Sequence, residues 1–532
     1  MSGRTLGHGP GRDAPVTVTA GLEVPAGTRL ATDVIRPDGP GRHPALVLRT
    51  PYSKARHLAE ARGWARRGFA VVVQDVRGRY ESAGAWEPYR HEAGDGAATV
   101  EWARAQPWCD GRVVAYGASY AAHCAIQTAL ATRVDAALVL VPAVGLAETA
   151  RETTGVPRLA SRAGWWTTYG DCRTERPGWY EARLADDPAL LRHLPVLDLP
   201  ARLGVPLPSW PRLWAARPQP DLAARLAALH TPLLSVGGLY DPFLDWSIRL
   251  WRWWGGPGTP VRLLLGPWTH DLVSSQRGAG ERPRRPAHRV RLADLMVAWT
   301  RAALAGRLTP GPSAAVAVEA ADGWLRLTSW PPGEEVPLPL DGRPGDLGFA
   351  LAPGGDPETA HAFVADPEDP FPSVEGLVDV GPPRADCCRY ESEALGEPVV
   401  LAGRPAAELR AYSDAPDNDW VARLSEVGRD GRAIQLAVGV TRGSGAGWRR
   451  VRVELGDVCV RLAAGARLRL EIAGHHFPAH ARNPQTGADP LTATELRPAR
   501  RRIDPERSAL VLPVLAEPRC LPPDRLLEVI AQ

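Results

Sequence analysis

The sequence predicts an open α/β sheet interrupted by a helical cap and followed by a separate all-β sandwich, and three observations carry that expectation. Apolar strand-like runs alternate with helical stretches up to about residue 141, strand signals vanish between 144 and 230, and short strands set apart by Pro and Gly take over after Gly306. Length agrees, because 532 residues exceed what one hydrophobic core usually supports.

Between Val16 and Arg49, runs such as 29–35 and 45–49 read as strands separated by Pro and Gly turns. Helical 58–67, the buried-strand run 69–75, helical 94–105, strand 113–116, a helix from His123 to Ala131 and strand 136–141 then alternate as a parallel sheet requires. The insertion at 144–230 carries Trp165, Trp166, Trp179, Trp210 and Trp214 and reads as a cap. The sheet pattern resumes with strand 232–238, helix 246–253, strand 261–266 and a closing helix, 291–305. Beyond it, strands such as 315–319, 324–328, 407–412, 420–427, 433–440 and 467–473 argue a sandwich of the jelly-roll kind. The expected division is a core of 1–143 and 231–310, a cap of 144–230 and a jelly-roll domain of 311–532.

Composition excludes several classes. A net charge of +3, with no basic stripe, argues against nucleic acid as a partner. Lys54 is the only lysine, which marks the remaining basic residues as arginine by coding bias rather than by local selection. Seven cysteines, odd in number and scattered, make neither a disulfide framework nor a zinc motif and fit a reducing compartment. The segment from Met1 to Pro15 has no apolar core of a targeting peptide, and no window reaches the roughly eighteen apolar residues of a membrane span. The expectation is a cytoplasmic protein without membrane or nucleic-acid partners; a homodimer stays open.

The chemistry centres on Val113 to Ala122, a strand entering the small-residue turn Gly117-Ala118-Ser119 with a helix directly behind it. This is the pattern of a nucleophile elbow, which lifts a hydroxyl above the sheet and aims helix N–H groups at the same point. A serine needs a histidine base and a carboxylate to hold the imidazole tautomer. Asp241 follows the strand ending at Val236, and His270 follows the next strand, in the order and in the loops that such sheets use. Asp245, His230 and His123 are the rivals; Asp245 falls where the following helix should already be running and His230 at the wrong end of its strand. The Tyr120 backbone N–H is one oxyanion donor by geometry, and Tyr52, in the loop after strand 45–49, is either a second donor or a packing residue.

Thr50-Pro51-Tyr52, Asp75-Val76-Arg77-Gly78-Arg79, Gln106-Pro107-Trp108-Cys109-Asp110-Gly111, Gly117-Ala118-Ser119-Tyr120 and Gly266-Pro267-Trp268-Thr269-His270 resemble the X-Pro dipeptidyl-peptidase and cocaine-esterase-like hydrolases. The likeness continues into the last domain through Asp417-Asn418-Asp419-Trp420 and Phe477-Pro478. The resemblance implies an α/β-hydrolase core with a helical cap and a C-terminal jelly roll. It implies a triad of Ser119, Asp241 and His270, an oxyanion hole of Tyr52 and Tyr120, and an acyl-enzyme formed from an ester or amide.

Two departures from that family bear on substrate. The usual glycine three residues after the nucleophile is Ala122, and Ala121-Ala122 lacks the carboxylate that members binding an α-ammonium group place there; Glu175, Asp186 or Asp187 of the cap could substitute. Trp165, Trp166 and Trp268 are the candidate pocket walls, with core packing as the alternative. His475 and His476 read as structural. The expected function is therefore a serine hydrolase of a small-molecule ester or amide, with no metal or organic cofactor required. An amidase or X-Pro-type peptidase, an acyltransferase using the same triad, and a silent binding protein are the competing readings.

Overall fold

A computed structural model of the chain describes residues 16–24, 27–272, 285–354, 360–374, 376–382 and 384–532; the N-terminal segment read above for a targeting signal lies outside them. Its centre is an eleven-stranded mixed sheet. In spatial order the strands are Val16–Val24, Thr28–Arg36, Ala70–Asp75, His43–Thr50, Cys109–Ala118, Ala136–Leu140, Leu233–Gly238, Pro260–Gly266, Gly311–Ala317, Trp324–Leu327 and Cys520–Leu521. From Ala70–Asp75 to Gly311–Ala317 the neighbours pair in parallel, and antiparallel strands close both edges.

Because side chains alternate across a strand, these continuous apolar runs furnish two faces at once. Ala45 and Val47 pack on one face with Ala122, Ala125 and Ile126 of the helix behind the elbow, while Leu46 and Leu48 pack on the other with Trp64, Met296 and Trp299. The chain leaves His43–Thr50 to one side for Ala70–Asp75 and returns to the other for Cys109–Ala118. That reversal opens a crevice at the carboxyl ends of the central strands, where ligands bind in such sheets.

Residues 144–230 contain no strand of a sheet; their helices, among them Leu159–Tyr169 and Trp210–Ala215, bury Leu159, Trp166, Trp210 and Leu213 in one core with Phe477, Ala481 and Leu491 of the C-terminal part. The C-terminal part is a sandwich of a seven-stranded and a five-stranded antiparallel sheet around Tyr390, Trp420, Leu470 and Leu510. One sequence assignment is corrected here. The strands expected at 315–319 and 324–328 do not join the sandwich: Gly311–Ala317 pairs in parallel with Pro260–Gly266, and Trp324–Leu327 pairs with it in turn. A short, wholly apolar strand such as Ala314 to Ala317 carries no mark of which sheet will bury it.

Candidate active site

Every site residue expected from the sequence except Trp166 and Trp268 is brought to the crevice. Ser119 sits at the turn between Cys109–Ala118 and helix Tyr120–Ala131 with φ 57° and ψ −120°, a conformation costing about 1–3 kcal/mol for a residue with a side chain. Packing enforces it, since a Cβ on Gly117 would lie 2.2 Å from the Ala121 carbonyl oxygen, so only glycine lets the strand turn so tightly into the helix. His270 Nε2 lies 2.9 Å from Ser119 Oγ, and His270 Nδ1 lies 2.8 Å from Asp241 Oδ1. A carboxylate can only accept, so Nδ1 carries the proton and Nε2 is left to accept from the serine hydroxyl.

The loops bearing the acid and the base are laced together. Leu239 N–H donates to the Gly266 carbonyl at 2.8 Å and Tyr240 N–H to the Trp268 carbonyl at 3.0 Å. Asp241 Oδ1 also accepts from the Phe243 N–H at 3.1 Å. A Cβ on Gly238 would stand 2.0 Å from the Trp268 carbonyl oxygen. Gly238→Ala is therefore expected to pry these loops apart at a cost of about 1–3 kcal/mol, seen as a lower melting temperature together with a loss of turnover greater than the melt accounts for. A variant that melts and turns over like the wild type would show the lacing to be dispensable.

Tyr120, first residue of its helix and next to the serine in sequence, has an N–H with no intrahelical acceptor. Its phenol donates to Glu92 Oε1 at 2.6 Å and accepts from the Tyr89 N–H at 2.6 Å, which anchors the elbow from below. Tyr52 takes a hydrogen bond from Trp165 Nε1 at 3.2 Å and lies beside the Ser119 side chain. An indole N–H only donates, so the Tyr52 oxygen accepts from it and its own hydrogen remains for the serine side. Burial raises the Tyr52 phenol above its ordinary value, so it stays a donor at neutral pH. The motif residues behind this loop brace it: Arg79 Nε donates to the Pro51 carbonyl at 2.9 Å, and the Lys54 N–H donates to Asp75 Oδ1 at 2.7 Å.

The rival residues have other partners. Asp245 lies in helix Leu244–Trp253 and pairs with Arg249 and Arg404; His123 is buried against the Val144 carbonyl at 2.7 Å; His230 is exposed away from the crevice. Glu175, Asp186 and Asp187 pair with Arg56, Arg183 and Arg202, and none of the three bonds Ser119, whose hydroxyl meets His270.

The candidate pocket walls divide. Trp165 is half-buried and stacks on Tyr120, centroids 5.9 Å apart at 9°. Trp166 is corrected: it is fully buried in the cap, donating from Nε1 to Ser209 Oγ at 2.8 Å, because the next position on a helix turns about 100° away. Trp268 is corrected likewise, being 1% exposed beneath the sheet against Trp324.

Several contributors other than Trp165 escaped the sequence reading. Phe243 packs edge-on to His270, with ring centroids 5.3 Å apart. Arg162, Trp165 and Tyr169 form one stripe of the cap helix at spacings of three and four, with Arg158 at its N-cap, and that periodicity was the available signal. Arg158 donates to the Pro242 carbonyl at 3.1 Å and holds Glu152 through two bonds of 2.8 and 2.7 Å, while His480 of the sandwich reaches the same carboxylate at 2.8 Å. Burial would raise the Glu152 carboxyl, but Arg158 and His480 pull it well below the usual range. A depressed carboxylate stabilises the fold above its unfolded pKa and loses that contribution as pH falls. The melting-temperature gap between wild type and Glu152→Gln is therefore expected to hold from pH 7 to about 5 and shrink toward pH 3; a gap that widens in acid would contradict the assignment. His475 and His476 are buried, and His476 Nδ1 lies 3.2 Å from His480 Nδ1.

A separate cleft of about 460 Å³, bordered by Tyr89, His123, Gln127, Glu148 and Gln219, lies behind the elbow helix and touches none of Ser119, Asp241 or His270. All seven cysteines are free. Among the described residues, no helix is long and apolar enough to cross a membrane.

A parallel sheet that carries a strained serine at its switch point, within reach of a histidine held by a buried aspartate, belongs to a serine hydrolase, and that is the class of this chain. Residues 26–271 match the family model of the X-Pro dipeptidyl-peptidase (S15 family), and residues 309–511 match that of the X-Pro dipeptidyl-peptidase C-terminal non-catalytic domain. The chain belongs to the X-Pro dipeptidyl-peptidase and cocaine-esterase-like family of α/β-hydrolases. It is 29% identical to the cocaine esterase of Rhodococcus sp. (strain MB1 Bresler) over 553 aligned positions, covering 89% of this chain and 94% of that one. Among solved structures it resembles an aminopeptidase from a marine sediment Thaumarchaeota archaeon, with TM-score 0.77, 20% identity and coverage of 97% and 99%. It also resembles an α-amino acid ester hydrolase, with TM-score 0.76, 19% identity and coverage of 96% and 98%. These two likenesses establish the shared fold.

Proposed function

We propose that this chain hydrolyses esters of small carboxylic acids through an acyl-enzyme on Ser119. The observation that carries the reading is the hydrogen-bond chain from Ser119 Oγ through His270 to Asp241 at 2.9 and 2.8 Å. Ser119 attacks the carbonyl carbon as His270 Nε2 takes its proton, and Asp241 stabilises the imidazolium that results. The oxygen that becomes negative receives the Tyr120 N–H and the Tyr52 O–H. Collapse expels the alcohol, which leaves with the proton from His270; water, deprotonated by the same imidazole, then releases the acid and restores the serine. One fact favours esters: the cocaine esterase that this chain matches nearly end to end is an esterase by name.

The test is labelling by a fluorophosphonate probe, followed by turnover of matched ester and anilide substrates. The wild type is expected to label, Ser119→Ala is not, and the ester is expected to turn over faster. Equal labelling of both proteins would sink the serine assignment, and faster turnover of the anilide would make the enzyme an amidase. Transfer to an added alcohol or amine in preference to water would make it an acyltransferase.

A further inference from the structure

Arg162 projects from cap helix Leu159–Tyr169 and is 6% exposed. Its guanidinium carbon lies 6.0 Å from the centre of the Phe243 ring, the ring that packs on His270. The phenols of Tyr89 and Tyr52 lie close enough to act on its charge. It thus stands near both the ring that packs on the base and the oxyanion donor. Its helix neighbour Arg158 is neutralised by Glu152, but among the described residues no carboxylate comes within ion-pairing distance of Arg162, and its buried Nε has no hydrogen-bond partner.

A buried guanidinium is costly unless paired, and a phenol and an aromatic face at the limit of cation–π range compensate it only in part. Burial, with Arg158 adding to it, pulls Arg162 below the usual arginine value. The planar fork of an arginine suits a carboxylate held by two parallel bonds. The guanidinium is set among Phe243, Tyr52 and Tyr89, facing the interior rather than solvent.

We propose that Arg162 is a specificity-determining residue that binds a carboxylate carried on the acyl group, so that the preferred substrates are monoesters of dicarboxylic acids. This rests on the esterase reading above. The experiment compares p-nitrophenyl hydrogen adipate with its neutral counterpart p-nitrophenyl hexanoate, and with a hexanoate ester whose leaving phenol bears the carboxylate. Wild type is expected to favour the adipate in kcat/KM by about tenfold or more. Arg162→Met is expected to lower the adipate value by about a hundredfold while leaving hexanoate within about threefold, and Arg162→Lys to fall between. Free adipate is expected to inhibit hexanoate turnover competitively in wild type, which decides the matter even if Arg162→Met fails to fold. Indifference of the wild type to acyl charge, preference for the charged phenol, or equal slowing of both acyl substrates in a folded Arg162→Met would overturn the proposal. Hexanoate turnover that depends on Ser119 would leave the esterase reading standing in each of those outcomes; its absence would remove that reading instead.

Discussion

Ser119→Ala is expected to lower kcat/KM for any turned-over ester by at least about ten-thousandfold, because the remaining groups can bind and polarise a carbonyl but cannot form the acyl-enzyme. Stability should not follow activity. The backbone at 119 stays at φ 57° whatever small side chain it carries, so alanine keeps the conformational penalty and is expected to melt near the wild type. Ser119→Gly removes that penalty and is expected to be the more stable of the two by about 1 kcal/mol or more. Melting curves and initial rates on the three proteins separate strain from chemistry. Turnover by Ser119→Ala within about a hundredfold of wild type would move the nucleophile elsewhere.

Tyr52→Phe is expected to cut kcat by about a hundred- to a thousandfold with little change in KM. The ring would keep its edge contact with Tyr169, centroids 4.9 Å apart, so the variant removes one O–H and little packing. An oxyanion donor is used most when the carbonyl oxygen carries full charge, which places the loss in kcat. Trp165→Phe should cost less, about tenfold, because it removes the N–H that occupies the Tyr52 oxygen and part of the ring stacked on Tyr120 but leaves the donor itself in place. Steady-state kinetics on one ester reads both effects. Were Tyr52→Phe to keep kcat within about threefold, the second donor would have to be another group.

How much of this was legible depends on whether a residue's chemistry is tied to a strand end. Ser119, Asp241, His270 and Tyr52 each sit one to four residues beyond an apolar run, so the order of strands delivers them to one crevice without knowledge of packing. The arginines escaped for lack of contrast: in a chain with a single lysine, Arg162 resembles every other basic residue until its neighbours are known. Trp165 and Trp166 are adjacent and chemically identical, and only the phase of the helix decides that one faces Tyr52 and the other Ser209. The strands between Gly311 and Leu327 are small and apolar, and which sheet claims them is settled by long-range pairing that no local pattern records.

The acid loop is held from outside the sheet that bears it. Arg404, at the start of the sandwich's central strands, bonds both Asp245 and Asp457, and His480 steadies Glu152 and through it the arginine on the Pro242 carbonyl. Grafting the sandwich of one relative onto the catalytic part of another therefore transplants half of an active-site brace. Such chimaeras should keep turnover only when Arg404 and His480 travel together with matching residues at 152, 158 and 245, so the unit of exchange is this set of five side chains rather than a domain.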